Sequence, residues 1–283
     1  MAFAHFTMAE ESVKTADKTH ITLIAGTHHY SPQKTFPSLK LELERLGFQV
    51  TLINPEWNPE KDKRGLPGLE ILKDTDLAVF FIRWLKLEGE QYNYVMNYVK
   101  AGKPVVGMRT SNHGFKYPKN HEKSHLNTDF GKDVLGTPYL IHLAGKTTLQ
   151  IVENEKSHPI LTGVSGTWES AGTLYLSKPE EGVNPLILGT GKPKKVGVRT
   201  NPYGTHDLKP VMTDNVAWTW KNKYGGKTFY TSLGHPSDFS NPLSMRVMIN
   251  SIYWAAGLPV PAAETEINTF KSQKKSKRKD SSK

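Results

Sequence analysis

The chain of 283 residues contains no cysteine. Disulfide bonds, thiolate metal sites and a cysteine nucleophile are therefore excluded. Because cytoplasmic and exported proteins can both lack cysteine, this absence leaves the cellular compartment open.

Long hydrophobic runs are also absent. The most apolar stretches, such as Leu77–Ile82, are far shorter than the roughly 20 residues that a membrane span needs. The first residues, Met1–His20, lack the continuous apolar region of a signal peptide. We therefore expect a soluble protein without a membrane span, either cytoplasmic or exported after removal of a signal peptide that this chain does not contain.

Positive charge is concentrated at the C-terminus. The formal net charge is +10, and residues 271–283 hold six lysines and one arginine against one aspartate, so this tail carries +6 and the rest +4. A basic, Ser-rich segment without aromatics cannot bury enough apolar area to fold. We predict a flexible segment at 1–18, one α/β domain at 19–261 and a disordered tail at 262–283. The body lacks a basic stripe with interleaved aromatics, so a nucleic-acid partner is not favoured.

Apolar runs alternate with helical periodicity along the first half of the chain. Ile21–Ala25 is followed by Gly26 and polar residues, which is typical of a central parallel strand that enters a loop. The same reasoning predicts strands at 48–53, 77–82 and 103–108, with helices around 36–46, 66–73 and 92–99 between them. Further strands are predicted at 149–152, 185–188, 196–198, 216–221 and 228–232, and a closing helix at 243–256. This alternation predicts βαβ units and a mostly parallel sheet.

Ligands of open parallel sheets bind beyond the carboxyl ends of the strands. The residues that follow the predicted strands are therefore candidates for a site. They are Thr27, His28, His29 and Tyr30 after the first strand, Arg83 and Trp84 after the strand at 77–82, Arg109, Thr110, Ser111, Asn112 and His113 after the strand at 103–108, and Gly234, His235, Ser237 and Asp238 after the strand at 228–232. The long irregular segment at 109–132 is typical of a functional loop.

Several motifs, in order, resemble those of one family. Lys227–His235, then Asp238-Phe239 and Asn250–Gly257, resemble the C-terminal signature of the ThuA-like (trehalose utilisation) proteins. Ser157–Gly163 resembles their middle element, and Val216–Trp218 resembles a later strand in which a proline is usual. The resemblance covers about residues 19–259.

This resemblance implies a class I glutamine amidotransferase-like fold. We accordingly predict a flavodoxin-like three-layer sandwich with a mostly parallel central sheet and additional antiparallel strands in the C-terminal half. Where amidotransferases have their cysteine, this chain has Met108-Arg109-Thr110-Ser111, so glutaminase chemistry is excluded by residue type. The spacing of a serine nucleophile elbow is absent as well.

His235 and Asp238 are the leading catalytic candidates, with His113 as a third. The i, i+3 spacing of His235 and Asp238 would let the carboxylate orient the imidazole as a general base. The alternative is that Asp238 only caps the loop before the last helix. The candidates for substrate binding are His28, His29, Arg109, Asn112, Trp84, Trp168 and His142. Trp84 and Trp168 are preferred among the aromatics because their predicted loop positions suit stacking on a sugar ring.

A metal is a further hypothesis. Four histidines, His29, His113, His142 and His235, would be its ligands if a divalent metal is bound, since imidazole suits such ions. No short motif links any two of them, so each also has a local, structural interpretation. The sequence indicates no other cofactor.

The resemblance implies a role in carbohydrate catabolism with a small carbohydrate ligand. One hypothesis is an enzyme, a sugar isomerase, lyase or hydrolase, that acts on a disaccharide or an oxidised sugar derivative by histidine-mediated proton transfer. The alternative is a non-catalytic glycan-binding or assembly module, because fold alone does not separate the two. A homo-oligomer is compatible with either.

Overall fold

A computed structural model describes residues 15–270. Its strands are β1 (His20–Gly26), β2 (Gln49–Ile53), β3 (Leu77–Ile82), β4 (Val105–Met108), β5 (Ile141–His142), β6 (Ala144–Ile151), β7 (Thr167–Ser170), β8 (Tyr175–Leu176), β9 (Asn184–Lys192), β10 (Gly197–Asn201), β11 (Gly204–Leu208), β12 (Met212–Lys221) and β13 (Lys227–Thr231). Its α-helices are α1 (Pro32–Arg45), α2 (Gly89–Lys100), α3 (Leu126–Asp129) and α4 (Pro242–Ala256). Nine strands form one sheet in the order β2-β1-β3-β4-β13-β12-β9-β6-β7.

The first five strands of that order are parallel. They are covered on both faces, as the side chains of β3 show. Leu77, Val79 and Phe81 pack with α1 and α4 on one face, and Ala78, Phe80 and Ile82 pack with α2 on the other. A strand buried on both sides reads as a continuous apolar run, and each large side chain that is fully buried contributes about 1.5–3 kcal/mol. The predicted three-layer α/β sandwich is confirmed.

From β13 onwards the sheet becomes antiparallel, through β12, β9, β6 and β7. The change of direction occurs at the tight turn between β12 and β13, where Gly225 has φ = 85°. A positive φ of this kind is available to glycine without strain. The predicted antiparallel strands of the C-terminal half are confirmed, although β5, β7, β8 and β11 were not predicted.

Two small sheets lie outside the main one. β10 pairs with β11 as a hairpin, and β5 pairs with β8. The segment expected to be irregular, 109–132, contains a 3₁₀ helix at Arg109–His113 and the short α3. Both structures follow local backbone hydrogen bonding that apolar periodicity does not reveal.

The described structure extends beyond the predicted domain boundaries, 19 and 261, at both ends. The predicted tail begins at 262, yet the backbone N–H of Asn268 donates to Glu42 in α1 at 2.9 Å and that of Phe270 donates to Phe239 at 2.9 Å. Ile267 and Phe270 also pack against the core, which explains why this segment is held. At the other end Ala16–Lys18 forms a 3₁₀ helix. The rest of both predicted end segments, 1–14 and 271–283, lies outside the described residues. Within 15–270 no helix is both long and apolar enough to cross a membrane.

Candidate functional site

The loops that follow β1, β3, β4 and β13 meet at the carboxyl edge of the parallel half. Aromatic rings connect the loop after β1 with the loop after β13. The ring centroid of Tyr30 lies 4.3 Å from that of His29 and 6.1 Å from that of His235. Arg109 places its guanidinium carbon 3.8 Å from the centroid of the Tyr30 ring. Three of the predicted site residues, from three separate loops, are therefore gathered around Tyr30, which the sequence placed after the first strand without a catalytic or binding role.

Arg109 is the buried cation of this edge. It is 1% exposed, and its Nη1 donates to the carbonyl oxygen of Ser232 at 2.5 Å while Nη2 contacts Thr173 Oγ1 at 3.4 Å. Its Nε has no hydrogen-bond partner among residues 15–270, and no carboxylate there lies within salt-bridge distance. The pKa of Arg109 nevertheless lies above its usual value, because the attraction of Tyr175, Tyr30 and Asp238 exceeds the penalty of burial. The guanidinium is therefore charged and only partly satisfied.

The backbone is strained where these groups meet. Tyr30, Ser31 and Arg109 adopt left-handed conformations with φ of 62°, 57° and 45°, which residues other than glycine seldom adopt. Tyr230 donates a hydrogen bond to the carbonyl oxygen of Arg109 and holds this conformation. Such strain is found most often at functional sites.

Tyr30 is half-buried and differs from a typical tyrosine in its ionisation. Burial raises its pKa, but the charge of Arg109 and polar contacts with Arg109, Thr173 and Tyr175 lower it by more, so the net pKa lies below its usual value. Sequence reasoning placed Tyr30 in the loop after the first strand but assigned it no role, since a tyrosine after a strand has no motif that marks it. The adjoining His28-His29 pair was the available signal.

His235 and Asp238 do not form the predicted side-chain dyad. Asp238 is 1% exposed, and its Oδ2 accepts from the backbone N–H of Gly234 and His235 at 2.8 and 2.9 Å while its Oδ1 accepts from Ser170 Oγ at 2.7 Å. The carboxylate caps the 3₁₀ helix Pro236–Ser240, so the capping alternative is the observed one. Backbone N–H groups at a helix start need acceptors, and Asp238 supplies one.

The ring of His235 is held by its own loop. Its Nδ1 accepts from the backbone N–H of Ser237 at 3.2 Å and lies 2.8 Å from Ser237 Oγ. Burial lowers the pKa of His235, with Asp238 opposing and Arg109 assisting that shift. The neutral ring therefore carries its proton on Nε2, which makes it a hydrogen-bond donor rather than a base.

Two further predicted site residues contact each other. His113 Nδ1 lies 2.7 Å from Asn112 Oδ1, and both residues are buried. Burial, together with the positive charge of Arg83, lowers the pKa of His113 well below its usual value. The His113 ring packs 4.3 Å from that of Tyr139, so this pair lines the interior of the edge.

The antiparallel half contributes an aromatic rim. Tyr139 bonds His142 Nδ1 through its hydroxyl at 2.6 Å, and its ring lies 5.1 Å from Tyr203 of the turn between β10 and β11. His29 and His142 remain partly open to solvent here, and the partial burial of their rings lowers the pKa of both. His28 is less exposed, and its Nε2 has no hydrogen-bond partner in the described chain. Tyr139 and Tyr203 come from distant segments and were not predicted.

The two tryptophans predicted to bind sugar lie in different places. Trp84 has φ = 52°, stacks on Arg83 at 3.4 Å and faces Lys116 at 4.0 Å. It lines an open groove of about 310 Å³ next to the ion pair of Arg83 with Glu60. Trp168 lies in β7 instead, is 7% exposed and donates to Ser244 Oγ of α4 at 3.0 Å. Its indole hydrogen bond is thus to helix α4.

The structure does not bring the four histidines of the metal hypothesis into one ligand set within the described part of the chain. Within residues 15–270, no group of three or more histidine, aspartate or glutamate side chains has the geometry to hold a metal ion. Nδ1 of His113, His142 and His235 each has a protein partner. In the segment Met108–Ser111, Ser111 Oγ contacts the carbonyl oxygens of Phe80 and Met108 at 2.7 and 2.8 Å. This buried hydroxyl is held as part of the structure.

Comparisons with known proteins agree with the motifs. The family model described as "ThuA: Trehalose utilisation" matches residues 20–255. The chain belongs to the ThuA family. A protein described as ThuA-like from Bacteroides uniformis has 14% identity and a TM-score of 0.55, over 88% of this chain and 95% of that one. A second, from Parabacteroides merdae, has 15% identity and a TM-score of 0.56, over 86% and 92%. These two show that the fold is that of ThuA-like proteins. No curated protein matches the chain in sequence.

Proposed function

We propose that this ThuA protein is an enzyme of carbohydrate catabolism that acts on a disaccharide or an oxidised sugar derivative by proton transfer. Family membership indicates the role in carbohydrate catabolism. The observation that carries the catalytic part is the meeting of Arg109, Tyr30 and the neutral ring of His235 at one edge of the sheet. A charge, an acidic hydroxyl and a hydrogen-bond donor together are what proton transfer on a polar substrate requires.

In this proposal His235 acts as a donor. Because Nδ1 accepts from Ser237, the Nε2–H is available to a sugar oxygen that gains negative charge during the reaction. His29 and His142 are exposed at the rim and offer contacts to sugar hydroxyls. The aromatic faces of Tyr139 and Tyr203 suit the apolar face of a sugar ring.

The test uses trehalose and its keto derivative as probes for binding by calorimetry and for turnover by product analysis. His235→Ala is expected to lower kcat about 100-fold, because acid–base groups contribute at least that factor, while the probe still binds. His125→Ala changes an exposed histidine in another loop and is the matched control. Turnover that His235→Ala leaves unchanged would contradict this assignment, and binding without turnover by the unmodified protein would favour a glycan-binding module.

A further inference from the structure

The contact between Tyr30 and Arg109 is an unusual pairing for a buried guanidinium. A buried guanidinium normally has a carboxylate partner, because an uncompensated buried charge is costly. Arg109 has instead two aromatic hydroxyl residues, Tyr30 at 3.8 Å and Tyr175 at 5.0 Å from its guanidinium carbon to their ring centroids. Gly172 permits this arrangement, since a Cβ there would lie 2.6 Å from Arg109 Nη1.

We propose that Tyr30 is the catalytic residue that takes a proton from the sugar, and that Arg109 is a positioning residue that stabilises the Tyr30 phenolate. This inference rests on the proposed function. Ionisation of a tyrosine beside Arg109 would supply the negative charge that the guanidinium lacks. The pairing therefore stabilises both charged forms at once.

Access distinguishes Tyr30 from its neighbours. Arg109 and Tyr175 are buried, whereas Tyr30 is only partly buried, so a ligand at this edge reaches the Tyr30 side chain first. The groups that face it are Arg109, Tyr175, His29, His235 and, further away, Tyr139. None of these groups, all among the described residues 15–270, is a carboxylate whose charge would oppose the ionisation of Tyr30.

The carboxylates of this edge narrow the substrate class. Hydrolysis of a glycosidic bond commonly uses two free carboxyl groups. Glu60 is paired with Arg83 at 2.7 Å, and Asp238 is fully bonded to its own loop and Ser170. The site therefore suits a sugar that carries a carbonyl group, because a phenolate can remove a proton from the carbon next to it.

The step balances without any further reactant. The phenolate oxygen of Tyr30 forms an O–H bond as the C–H bond beside the carbonyl breaks. The electron pair of that bond forms a C=C bond, and the carbonyl π electrons move to oxygen to give an enolate. The Nε2–H of His235 donates to that oxygen, and Tyr30 later returns its proton to carbon.

The pairing is tested first by titration of phenolate absorbance in the full chain. Of the eleven tyrosines, Tyr30 has a lowered pKa, while burial or a nearby carboxylate raises that of nine others. The Tyr30 phenol should therefore ionise before these nine in the unmodified protein and in the control Tyr94→Phe, and this early step should vanish in Tyr30→Phe. In Arg109→Met it should move to higher pH. An early step that persists in Tyr30→Phe overturns the pairing.

The catalytic role is tested with the keto derivative of trehalose. Tyr30→Phe keeps the ring on Arg109 and should lower kcat at least 100-fold, with the dissociation constant within threefold and circular dichroism unchanged. In the unmodified protein kcat should rise with pH as Tyr30 ionises. Turnover that Tyr30→Phe leaves within threefold overturns the role of Tyr30 while the proposed function stands. Absence of turnover by the unmodified protein contradicts the proposed function and the step with it, whereas the titration still reports the pairing.

Discussion

Two buried charges lie at the same edge of the sheet, and their surroundings differ. The carboxylate of Asp238, on the loop after β13, accepts three hydrogen bonds from Gly234, His235 and Ser170. The guanidinium of Arg109, on the turn after β4, has one short bond to a carbonyl oxygen, one long contact and a free Nε. Both side chains are 1% exposed. Burial alone therefore does not separate a structural charge from a functional one.

The difference lies in how completely each charge is satisfied. A charge whose hydrogen bonds all go to the protein stabilises the fold and has no capacity left for a ligand. A charge with spare capacity costs folding free energy, and such residues are concentrated at sites of function. By this criterion Asp238 is a helix cap and Arg109 is the stronger candidate for the site, although sequence spacing favoured Asp238.

Replacement of Asp238 should have the largest effect on stability. Asp238→Ala leaves two backbone N–H groups and the hydroxyl of Ser170 without their acceptor, so the free energy of unfolding should fall by about 3 kcal/mol. Urea unfolding measures this loss. Asp207→Ala, at an exposed aspartate, should change stability by less than about 0.5 kcal/mol. A loss at Asp238 no greater than at Asp207 would remove the distinction between the two buried charges.

Replacement of Gly172, which packs against Arg109, should have the next largest effect on the free energy of unfolding. Gly172→Ala places a Cβ within 2.6 Å of Arg109 Nη1, and overpacking of this kind costs about 1–3 kcal/mol. If the clash is with the guanidinium, the cost should shrink in an Arg109→Met background. A double-mutant cycle measured by urea unfolding gives this coupling. Equal costs in both backgrounds would show that the glycine serves another purpose.

The strands and the sheet topology could be predicted from the sequence better than the side-chain contacts of the candidate site. Leu77–Ile82 reads as a buried strand because both faces need apolar side chains, and the structure places it at the centre of the parallel half. The loops after the strands converged as expected because parallel strands end at one edge. Topology alone therefore brought Arg109, His29 and His235 together.

Side-chain pairing at the edge was not predictable in the same way. The i, i+3 spacing of His235 and Asp238 allows a ring contact, but backbone N–H groups of the same loop compete for the carboxylate and prevail. Tyr139 and Tyr175 reach the site through the small sheet of β5 and β8, whose strands have only two residues each. Strands that short have no readable alternation, so their contribution appears only in three dimensions.

His113 provides a third, smaller test of how this edge of the sheet treats buried charge, because it is a buried titratable group close to Arg83 and Arg109. Burial and Arg83 hold its folded pKa well below 6.5, so the folded protein keeps this ring neutral while the unfolded chain gains a proton as the pH falls. The effect of this difference on the free energy of unfolding is absent above pH 6.5 and grows below it, until the folded pKa of His113 is reached.

Between pH 6.5 and the folded pKa of His113, the free energy of unfolding should fall by up to about 1.4 kcal/mol per pH unit for each proton taken up only by the unfolded state. His113→Gln should remove one such proton and make the acid slope shallower, and His125→Gln, at an exposed histidine, is the matched control. Urea unfolding at several pH values from 5 to 7 measures both slopes. An unchanged slope in His113→Gln would mean that the His113 ring also takes up a proton in the folded protein. The positive charges of Arg109 and Arg83 would then not prevent a further positive charge at this edge of the sheet.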